Sequence, residues 1–417
     1  MNSIVTQGVS RRSFIQILGA ASAAATTYPA FAGIQQPATQ AAATPGRRGG
    51  MRDMQPLSPD TVIISSNENP LGPAQSALTA ICSTAPEGGR YHFDQYVKTV
   101  GVFNEQFGLK KDYSALFPGS GGPLDLALMS NIGPDKPLVY GDPSYEQGPR
   151  AADTMKAPKY PVPLTSTYAH DVKAMLKAHP SPGAYYIVNP NNPTGTMTPK
   201  ADIVWLVNNK PKGSVVIIDE AYHHFSNDES CIDLVTQDKD VIVMRTFSKI
   251  YGMAGLRAGF AVARPDLIER FNNVGGPSRS LASISITSAA AARASLQDKD
   301  IVPLRKKINS DIRSETLEFL TKHGYKIVPG SQGNMFMVDV KRPGREFQMA
   351  MLKENVAIGR TWSAMPNYVR VTVGTKAEMD KFQTAFVKCM DMPPGAANGA
   401  AELHLPEFHV PSELYRG

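Results

Sequence analysis

The chain has 417 residues, enough for two or three domains with a sizeable hydrophobic core. Its 42% hydrophobic and 19% charged residues are typical of a globular protein, and 34 glycines and 33 prolines without a regular repeat exclude a collagen-like chain. The net charge of +6 falls to +2 without residues 1–53, where five arginines accompany one aspartate. No basic cluster remains to bind nucleic acid. Three cysteines without metal-ligand spacing predict neither a disulfide framework nor a metal site: Cys82, Cys231 and Cys389.

The first 32 residues have the pattern of an export signal. Arg11 and Arg12 precede an alanine-rich stretch, and no charged residue occurs between positions 13 and 46. A signal peptidase accepts small residues such as Ala30 and Ala32, and polar residues interrupt the stretch too early for a membrane anchor of about 20 apolar residues. The segment resembles a twin-arginine (Tat) signal, which implies export of the folded protein by the Tat translocase to the periplasm or beyond. The alternative is a disordered basic tail, and residues 33–55 are expected to form a flexible leader.

From residue 56 onward, short apolar runs alternate with helical patterns, which predicts an α/β fold with a mainly parallel sheet. Several runs are continuously apolar, as in strands that are covered on both faces. The predicted strands of this sheet are residues 138–140, 184–189, 214–219, 241–245 and 259–263. A long helix at 299–323 then leads into a smaller α+β domain. That domain is predicted to contain strands at 335–340 and 368–373 and helices at 345–354 and 376–389.

Three of the predicted strands end in unusual polar sequences. These are NPNNPTG at residues 189–195, DEAY at 219–222 and RTFSK at 245–249. Ligands of open α/β sheets bind outside the carboxyl ends of the strands, so the three sequences are expected to converge on one site. A fourth sequence, PGSGGP at 118–123, leads into a predicted helix. Glycine amides and a helix N-terminus together favour a phosphate site, although the loop lacks the P-loop and dinucleotide-binding signatures.

Together with NENPLGP at 67–73 and GLRAG at 255–259, these sequences resemble the fold-type I pyridoxal phosphate (PLP) aminotransferases. Within that family the similarity is to class I/II, and especially to the histidinol-phosphate aminotransferase-like group, over about residues 58–390. The resemblance implies a large domain with a seven-stranded, mainly parallel sheet, a smaller α+β domain, PLP as cofactor and a homodimer with shared active sites. The implied segments are an N-terminal segment at 56–90 that packs on the small domain, a large domain at 91–298, a small domain at 299–392 and a tail at 393–417.

The same resemblance implies roles around the cofactor ring. Lys249 would form the Schiff base with PLP and later move the proton at the substrate Cα, which requires a neutral amine. Asp219 would pair with the pyridine nitrogen and keep it protonated, so that the ring can accept electrons. Tyr222 and Asn192 would hydrogen-bond the phenolic oxygen, and Tyr145 would stack on the ring.

The cofactor phosphate would be held by the loop at 118–123 and by residues that follow two strands. The implied ligands are Ser120, Gly121, Gly122, Thr246, Ser248 and Arg257, with Tyr91 reaching across from the neighbouring subunit. The planar guanidinium of Arg257 suits a phosphate. Many relatives carry acidic or small residues where this chain has Gly-Gly-Pro at 121–123, so the details of the phosphate contacts are left open.

In the smaller domain, Arg370 matches the arginine that binds the substrate carboxylate, or a phosphate group in the histidinol-phosphate enzymes. Arg360 is a candidate for a second anion contact, and Asn334 is a candidate to face the substrate. His223 and His224 follow the DEAY sequence, but structural roles are favoured because Lys249 already transfers the proton.

These assignments predict a PLP-dependent aminotransferase that moves an amino group between an anionic amine or amino acid and a keto acid by a ping-pong mechanism. Two alternatives remain. A decarboxylase or lyase would use the same site, because PLP stabilises any carbanion at Cα and substrate orientation decides which bond breaks. A non-catalytic binding protein would keep only the fold, and the presence of Lys249 and Asp219 argues against it.

Overall fold

The structure is a computed structural model, and it describes residues 57–275 and 284–393. The predicted export signal at 1–32, the leader at 33–55 and residues 394–417 of the predicted tail lie outside the described residues. Within the described ranges, no helix has both the length and the apolar character needed to cross a membrane.

Among the described residues, the main sheet has seven strands. In chain order they are β2 (Ser114–Phe117), β3 (Leu138–Asp142), β4 (Lys159–Pro163), β5 (Ala184–Val188), β6 (Val215–Asp219), β7 (Val241–Thr246) and β8 (Gly259–Ala263). Their spatial order is β2-β8-β7-β6-β5-β3-β4, and β8 alone runs antiparallel to its neighbours. The predicted α/β fold with a mainly parallel sheet of seven strands is confirmed.

The apolar strands of this sheet are covered on both faces, as their composition predicts. Side chains of β5 alternate between two core clusters, with Tyr185 and Ile187 in one and Tyr186 and Val188 in the other. Strand β6 follows the same alternation. The helices associated with the sheet are α3 (Gly121–Met129), α4 (Gln147–Thr154), α5 (Val172–Ala178), α6 (Lys200–Asn209), α7 (Ile232–Thr236), α8 (Pro265–Glu269) and α9 (Phe271–Gly275). Helix α6 contributes to the first cluster and α3 to the second.

Strands β2 and β4 were not among the predicted strands. The sequence of β4, KYPVP, contains Pro161 and Pro163, and prolines argue against a strand because they cannot donate to a sheet. Strand β4 nevertheless forms because it lies at the edge of the sheet and pairs with β3 only.

The smaller domain has two short sheets and its own core cluster. Its strands are β1 (Val62–Ile64), parallel to β10 (Val356–Ile358), and β9 (Met335–Asp339), antiparallel to β11 (Tyr368–Thr372). Its helices are α11 (Ile301–Lys322), α12 (Gly344–Lys353) and α13 (Lys376–Asp391). The three predicted helices and the two predicted strands of this domain therefore form with ends within two residues of the expected ones, at 299–323, 345–354, 376–389, 335–340 and 368–373. Strands β1 and β10 were not predicted.

The N-terminal segment at 56–90 divides between the two cores, which corrects the expectation that all of it packs on the smaller domain. Its strand β1 does so, through its pairing with β10. Its helix α1 (Gln75–Thr84) instead packs against α10 (Ile286–Gln297), which also contacts α2 (Phe93–Phe107). Ala77 of α1 is fully buried in a core cluster of the main sheet, so apolar burial draws this half of the segment onto the large domain.

Candidate active site

The carboxyl ends of β5, β6 and β7 meet at one edge of the main sheet. The backbone amide of Asn189 donates to the Asp219 carbonyl oxygen at 2.9 Å, and the amide of Glu220 donates to the Met244 carbonyl oxygen at 3.0 Å. Because neighbouring parallel strands end in register, the polar sequences that follow them lie side by side. The three strand-end sequences are therefore brought together, as their order along the chain predicts.

Lys249 follows β7 with a partly buried side chain at this edge. Its Nζ donates to the Ser66 carbonyl oxygen at 3.2 Å and lies 5.5 Å from the centre of the Tyr222 ring. Burial, followed by the nearby positive charge of Arg370, lowers the pKa of Lys249 to about 8. An amine with this pKa is partly neutral near physiological pH and is suited to attack a carbonyl carbon or remove a proton.

Asp219 is the last residue of β6, and its carboxylate is buried. Burial raises its pKa to about 6, while hydrogen bonds from the Ala221 amide (3.0 Å) and the Tyr186 hydroxyl (3.3 Å) oppose the rise. Tyr186 has no role in the sequence analysis, because a tyrosine inside a buried strand looks like an ordinary core residue. A buried carboxylate with few donors is suited to pair with a cation such as a protonated ring nitrogen.

Tyr222 and Asn192 are each held by a residue from another part of the chain. Asn67 Nδ2 donates to the Tyr222 hydroxyl oxygen at 3.0 Å, and Arg370 NH1 donates to Asn192 Oδ1 at 2.8 Å. Asn67 belongs to the NENPLGP sequence but was assigned no role of its own. These contacts fix the two side chains expected to face the phenolic oxygen, and they tie the N-terminal segment and β11 to the site.

The candidate phosphate cradle lies where α3 begins and β7 ends. Ser120 directly precedes α3, so the amides of Gly121 and Gly122 are in its first turn and have no partner within the helix. Thr246 Oγ1 donates to Ser248 Oγ at 3.0 Å, and Arg257 NH1 donates to the same oxygen at 3.4 Å. The sequence-predicted phosphate ligands of a single chain are therefore close together.

Gly119 allows the loop and Arg257 to meet. Its φ angle is +79°, and a Cβ atom at this position would lie 2.2 Å from Arg257 NH2. Glycine at this position tolerates the positive φ angle and lets the Arg257 guanidinium lie against the loop.

Two arginines and a tryptophan line the neighbouring part of the site. Trp362 is 5% exposed and donates from Nε1 to the Ser144 carbonyl oxygen at 3.0 Å. The guanidinium carbons of Arg360 and Arg370 lie 5.0 and 5.4 Å from the centre of its rings. Arg360 forms an ion pair with Glu146. Both arginines are candidate anion contacts from the sequence, whereas no sequence motif marks Trp362 or Glu146 as part of the site.

Tyr145 precedes Glu146 in the chain, and its side chain is partly buried. Burial, followed by the nearby Tyr222 and Asp219, raises the pKa of its hydroxyl to about 12. The tyrosine is therefore neutral, and Tyr222 and Asp219 are close enough to influence its pKa. Its stacking on the cofactor ring stays a prediction.

Arg370 is buried, and no carboxylate contacts it among the described residues. Besides Asn192, it donates from NH2 to the Ser65 carbonyl oxygen, and its Nε has no partner within the described part of the chain. Burial lowers its pKa to about 10, so the side chain remains charged at neutral pH. A buried cation without a counter-ion is a binding position for an anion.

Asn334 and Tyr91 are placed differently from the other candidates. Asn334 Nδ2 donates to the carbonyl oxygens of Asn67 and Glu68 at 3.1 and 3.2 Å, so its amide holds the NENPLGP segment, and a substrate contact stays a prediction. Tyr91 is 79% exposed and stacks on Phe93 with ring centres 5.7 Å apart. Within its own chain it is therefore not enclosed with the site residues described above.

Two adjacent histidines follow Tyr222, and His223 is buried while His224 is partly buried. Burial lowers the pKa of His223 to about 4 and that of His224 well below its ordinary value. The His224 ring packs edge-on against Tyr251, with ring centres 5.1 Å apart. Both imidazoles are therefore neutral at physiological pH, which supports the structural roles favoured for them.

A model of the family described as aminotransferase class I and II matches residues 61–386. The chain belongs to this family. It is 32% identical over 326 residues to histidinol-phosphate aminotransferase 1 of Nitrosococcus oceani, a match that covers 77% of this chain and 86% of the relative. It is also 32% identical over 330 residues to the aromatic amino acid aminotransferase of Cutibacterium acnes, with 77% and 90% covered.

A solved structure of the same fold contains the cofactor. The histidinol-phosphate aminotransferase of Sinorhizobium meliloti, in complex with pyridoxal-5'-phosphate, superimposes with a TM-score of 0.72 at 21% identity, covering 82% of this chain and 96% of that one. The aminotransferase assignment and PLP as cofactor are confirmed. The residues present fit this group: Lys249 supplies the amine, Asp219 the buried carboxylate, and the cradle at Gly119 and Arg257 the anion site. The individual roles stay predictions.

Proposed function

We propose that this aminotransferase takes an amino group from a donor with an anionic group, passes it to a keto acid, and works by a ping-pong mechanism at the edge of β5, β6 and β7. The observation that supports an anionic substrate is Arg370. Its guanidinium is buried beside Asn192 without a carboxylate partner among the described residues, and a substrate carboxylate or phosphate would supply one.

Bound PLP supplies an electron sink for the substrate Cα. The protein residues transfer the proton, set the charge of the cofactor ring and orient the donor. Lys249 Nζ accepts the proton from the substrate Cα, which its lowered pKa permits. Asp219 provides the negative charge that keeps the ring nitrogen protonated, and Tyr222, oriented by Asn67, donates a hydrogen bond to the phenolic oxygen. Arg370 orients the donor by its anionic end.

The names of the relatives suggest two donor classes for a first test, an amine that bears a phosphate and an aromatic amino acid. The purified protein loaded with PLP should convert one equivalent of a suitable donor per site to the keto product when no acceptor is present, and turn over continuously once a keto acid is added. Release of carbon dioxide or ammonia in place of a stoichiometric keto product would favour the decarboxylase or lyase alternative.

We further propose a homodimer in which Tyr91 completes the partner's phosphate cradle. Tyr91, Phe93 and Val97 are 79%, 57% and 65% exposed and lie at and just before the start of α2. An apolar cluster this exposed is typical of an interface. A two-fold interface would exclude water from both sites at once.

Mixing two inactive variants tests this arrangement. One chain carries Lys249→Ala with Tyr91 intact, and the other carries Tyr91→Ala with Lys249 intact. If Tyr91 acts across the interface, one of the two sites in each heterodimer has both residues, so activity should rise to about half that of the wild type per heterodimer. If mixing restores no activity above that of the parent homodimers, Tyr91 acts within its own chain or has no role.

We also propose that the protein is exported by the Tat route and works in the periplasm or outside the cell. Exchange of Arg11 and Arg12 for lysine should then keep the protein in the cytoplasm, folded and loaded with PLP. Wild-type protein should appear outside the inner membrane without residues 1–32, as measured by fractionation and N-terminal sequencing. Uncleaved wild-type protein in the cytoplasm would contradict the proposal.

A further inference from the structure

An ion pair that the cofactor chemistry does not require lies next to Arg370. Glu146, between Tyr145 and α4, accepts a hydrogen bond from Arg360, which follows β10. The two side chains are 30% and 24% exposed, so the pair is partly withdrawn from water. It joins the large domain to the smaller one at the site itself, because Arg360 packs on the same tryptophan, Trp362, as Arg370 does.

The two arginines on Trp362 differ in their partners. Arg360 already has a carboxylate, that of Glu146, whereas the partners of Arg370 are neutral oxygens of Asn192 and Ser65. Within the part of the chain that the structure describes, a ligand with one anionic group therefore meets one cation without a counter-ion, Arg370, and one that is already neutralised, Arg360.

The charges of Arg360 and Glu146 influence the pKa of Arg370, so the three side chains belong to a single site. Burial is the main reason for the lowered pKa of Arg370, and among the charges around it Arg360 lowers that pKa and Glu146 raises it. Arg360 likewise lowers the pKa values of Tyr145 and Tyr222, in which burial is the dominant and opposite influence. The charges of Glu146 and Arg360 therefore affect the electrostatic potential at the place where the donor and the cofactor ring are expected to bind.

A second anion on the ligand could bind Arg360 only by displacing Glu146. That would leave the Glu146 carboxylate partly buried, close to the incoming negative charge and without its cation, which is costly away from bulk water. A neutral group in the same place leaves the ion pair intact.

We propose that Glu146 is a specificity-determining residue that holds Arg360 and thereby selects substrates with a single anionic group over those with a second carboxylate or phosphate. The inference rests on the proposed function in one respect, since it takes Arg370 as the contact for the first anion. It assigns the substrate class as amines with one anionic end and a neutral remainder.

Binding of two matched ligands to the PLP-loaded enzyme tests this selection. Glutarate and its monoamide have nearly the same shape and differ by one distal charge, and neither is an amino donor, so calorimetry can measure their dissociation constants without turnover. The wild type should bind the monoamide at least as tightly as glutarate. In Glu146→Gln, glutarate should bind about tenfold more tightly, the effect of one charge-assisted hydrogen bond, while the monoamide should change less than about twofold.

Two further variants separate a specificity effect from a structural one. Glu105→Gln removes an exposed glutamate on α2 and should change neither constant. Adding Arg360→Met to Glu146→Gln should abolish the gain for glutarate, because the released cation is gone. If Glu146→Gln does not fold, Glu146→Asp, whose shorter side chain weakens the pair, should still favour glutarate relative to the wild type.

Three results would each overturn the inference. They are an unchanged dissociation constant for glutarate in Glu146→Gln, an equal decrease of the dissociation constants of both ligands, and tighter glutarate binding that persists when Arg360→Met is added. Failure of the proposed function has a different signature, which is the absence of keto product from every donor. A protein that discriminates the two ligands as expected but transfers no amino group would retain the selectivity assigned to Glu146 and lose the proposed reaction.

Discussion

Lys249→Ala should reduce amino transfer by at least about 10⁴-fold, because the variant loses both the amine that carries the cofactor and the base that moves the Cα proton. The protein should remain folded, since among the described residues the Lys249 side chain makes one hydrogen bond, to the Ser66 carbonyl oxygen, and belongs to no core cluster. Single-turnover formation of keto product measures the effect. Lys299→Ala, which removes an exposed lysine, is the matched control and should retain full activity.

The same experiment has a covalent readout. Borohydride reduction of the wild type should fix PLP on the peptide that contains Lys249, as found by mass spectrometry, and reduction of Lys249→Ala should leave the cofactor removable. Attachment at another lysine, or near-normal turnover by the variant, would show that the strand-end lysine is not the catalytic amine.

Asp219→Asn should lower the rate by about 10²–10³-fold or more, which is the range for loss of one preorganised electrostatic contact at a reacting group. The substitution keeps the shape of the side chain. Its amide oxygen can still accept from the Ala221 amide, and its NH2 group, in place of the second carboxylate oxygen, can donate to the Tyr186 hydroxyl oxygen. What it removes is the negative charge that would favour a protonated ring nitrogen. Since binding of the donor does not depend on that charge, we expect the loss in kcat rather than in KM.

Asp112→Asn is the control for this substitution. Asp112 is exposed and adopts a left-handed backbone conformation with φ at +68°, which asparagine tolerates. Its activity and thermal stability should match those of the wild type. A near-normal rate in Asp219→Asn would mean that this carboxylate only organises the turn after β6, where it accepts from the Ala221 amide.

The position of the site follows from sequence because it depends on a rule of sheet geometry. Parallel strands end at one edge, so the residues after β5, β6 and β7 must be neighbours once the strands are recognised. Continuous apolar runs such as VVII at 215–218 mark these strands clearly. The sequence alone therefore predicts that Asp219 and Lys249 belong to one site.

Contacts between the two domains could not be predicted from the sequence. Asn67 meets Tyr222 across 155 residues of chain, and Glu146 meets Arg360 across 214. Neither pair leaves a periodic or local signal, because each depends on how β1, β10 and β11 pack against the main sheet. The same packing decides that helix α1 joins the large domain although its segment begins in the small one.

The sequence by itself determined the fold family, the cofactor and the two residues on which the chemistry is predicted to depend, Lys249 and Asp219. It could do so because short motifs at the strand ends contain these residues. Only the tertiary structure decided the surroundings of those residues. It showed that the Tyr186 hydroxyl donates to Asp219 and that Gly119 makes room for Arg257. It also showed that Arg360 forms an ion pair with Glu146, whereas Arg370 has no carboxylate partner among the described residues. The physical reason is that a motif specifies which groups are present, whereas burial and counter-ions depend on elements that are remote in sequence and adjacent only in the folded chain.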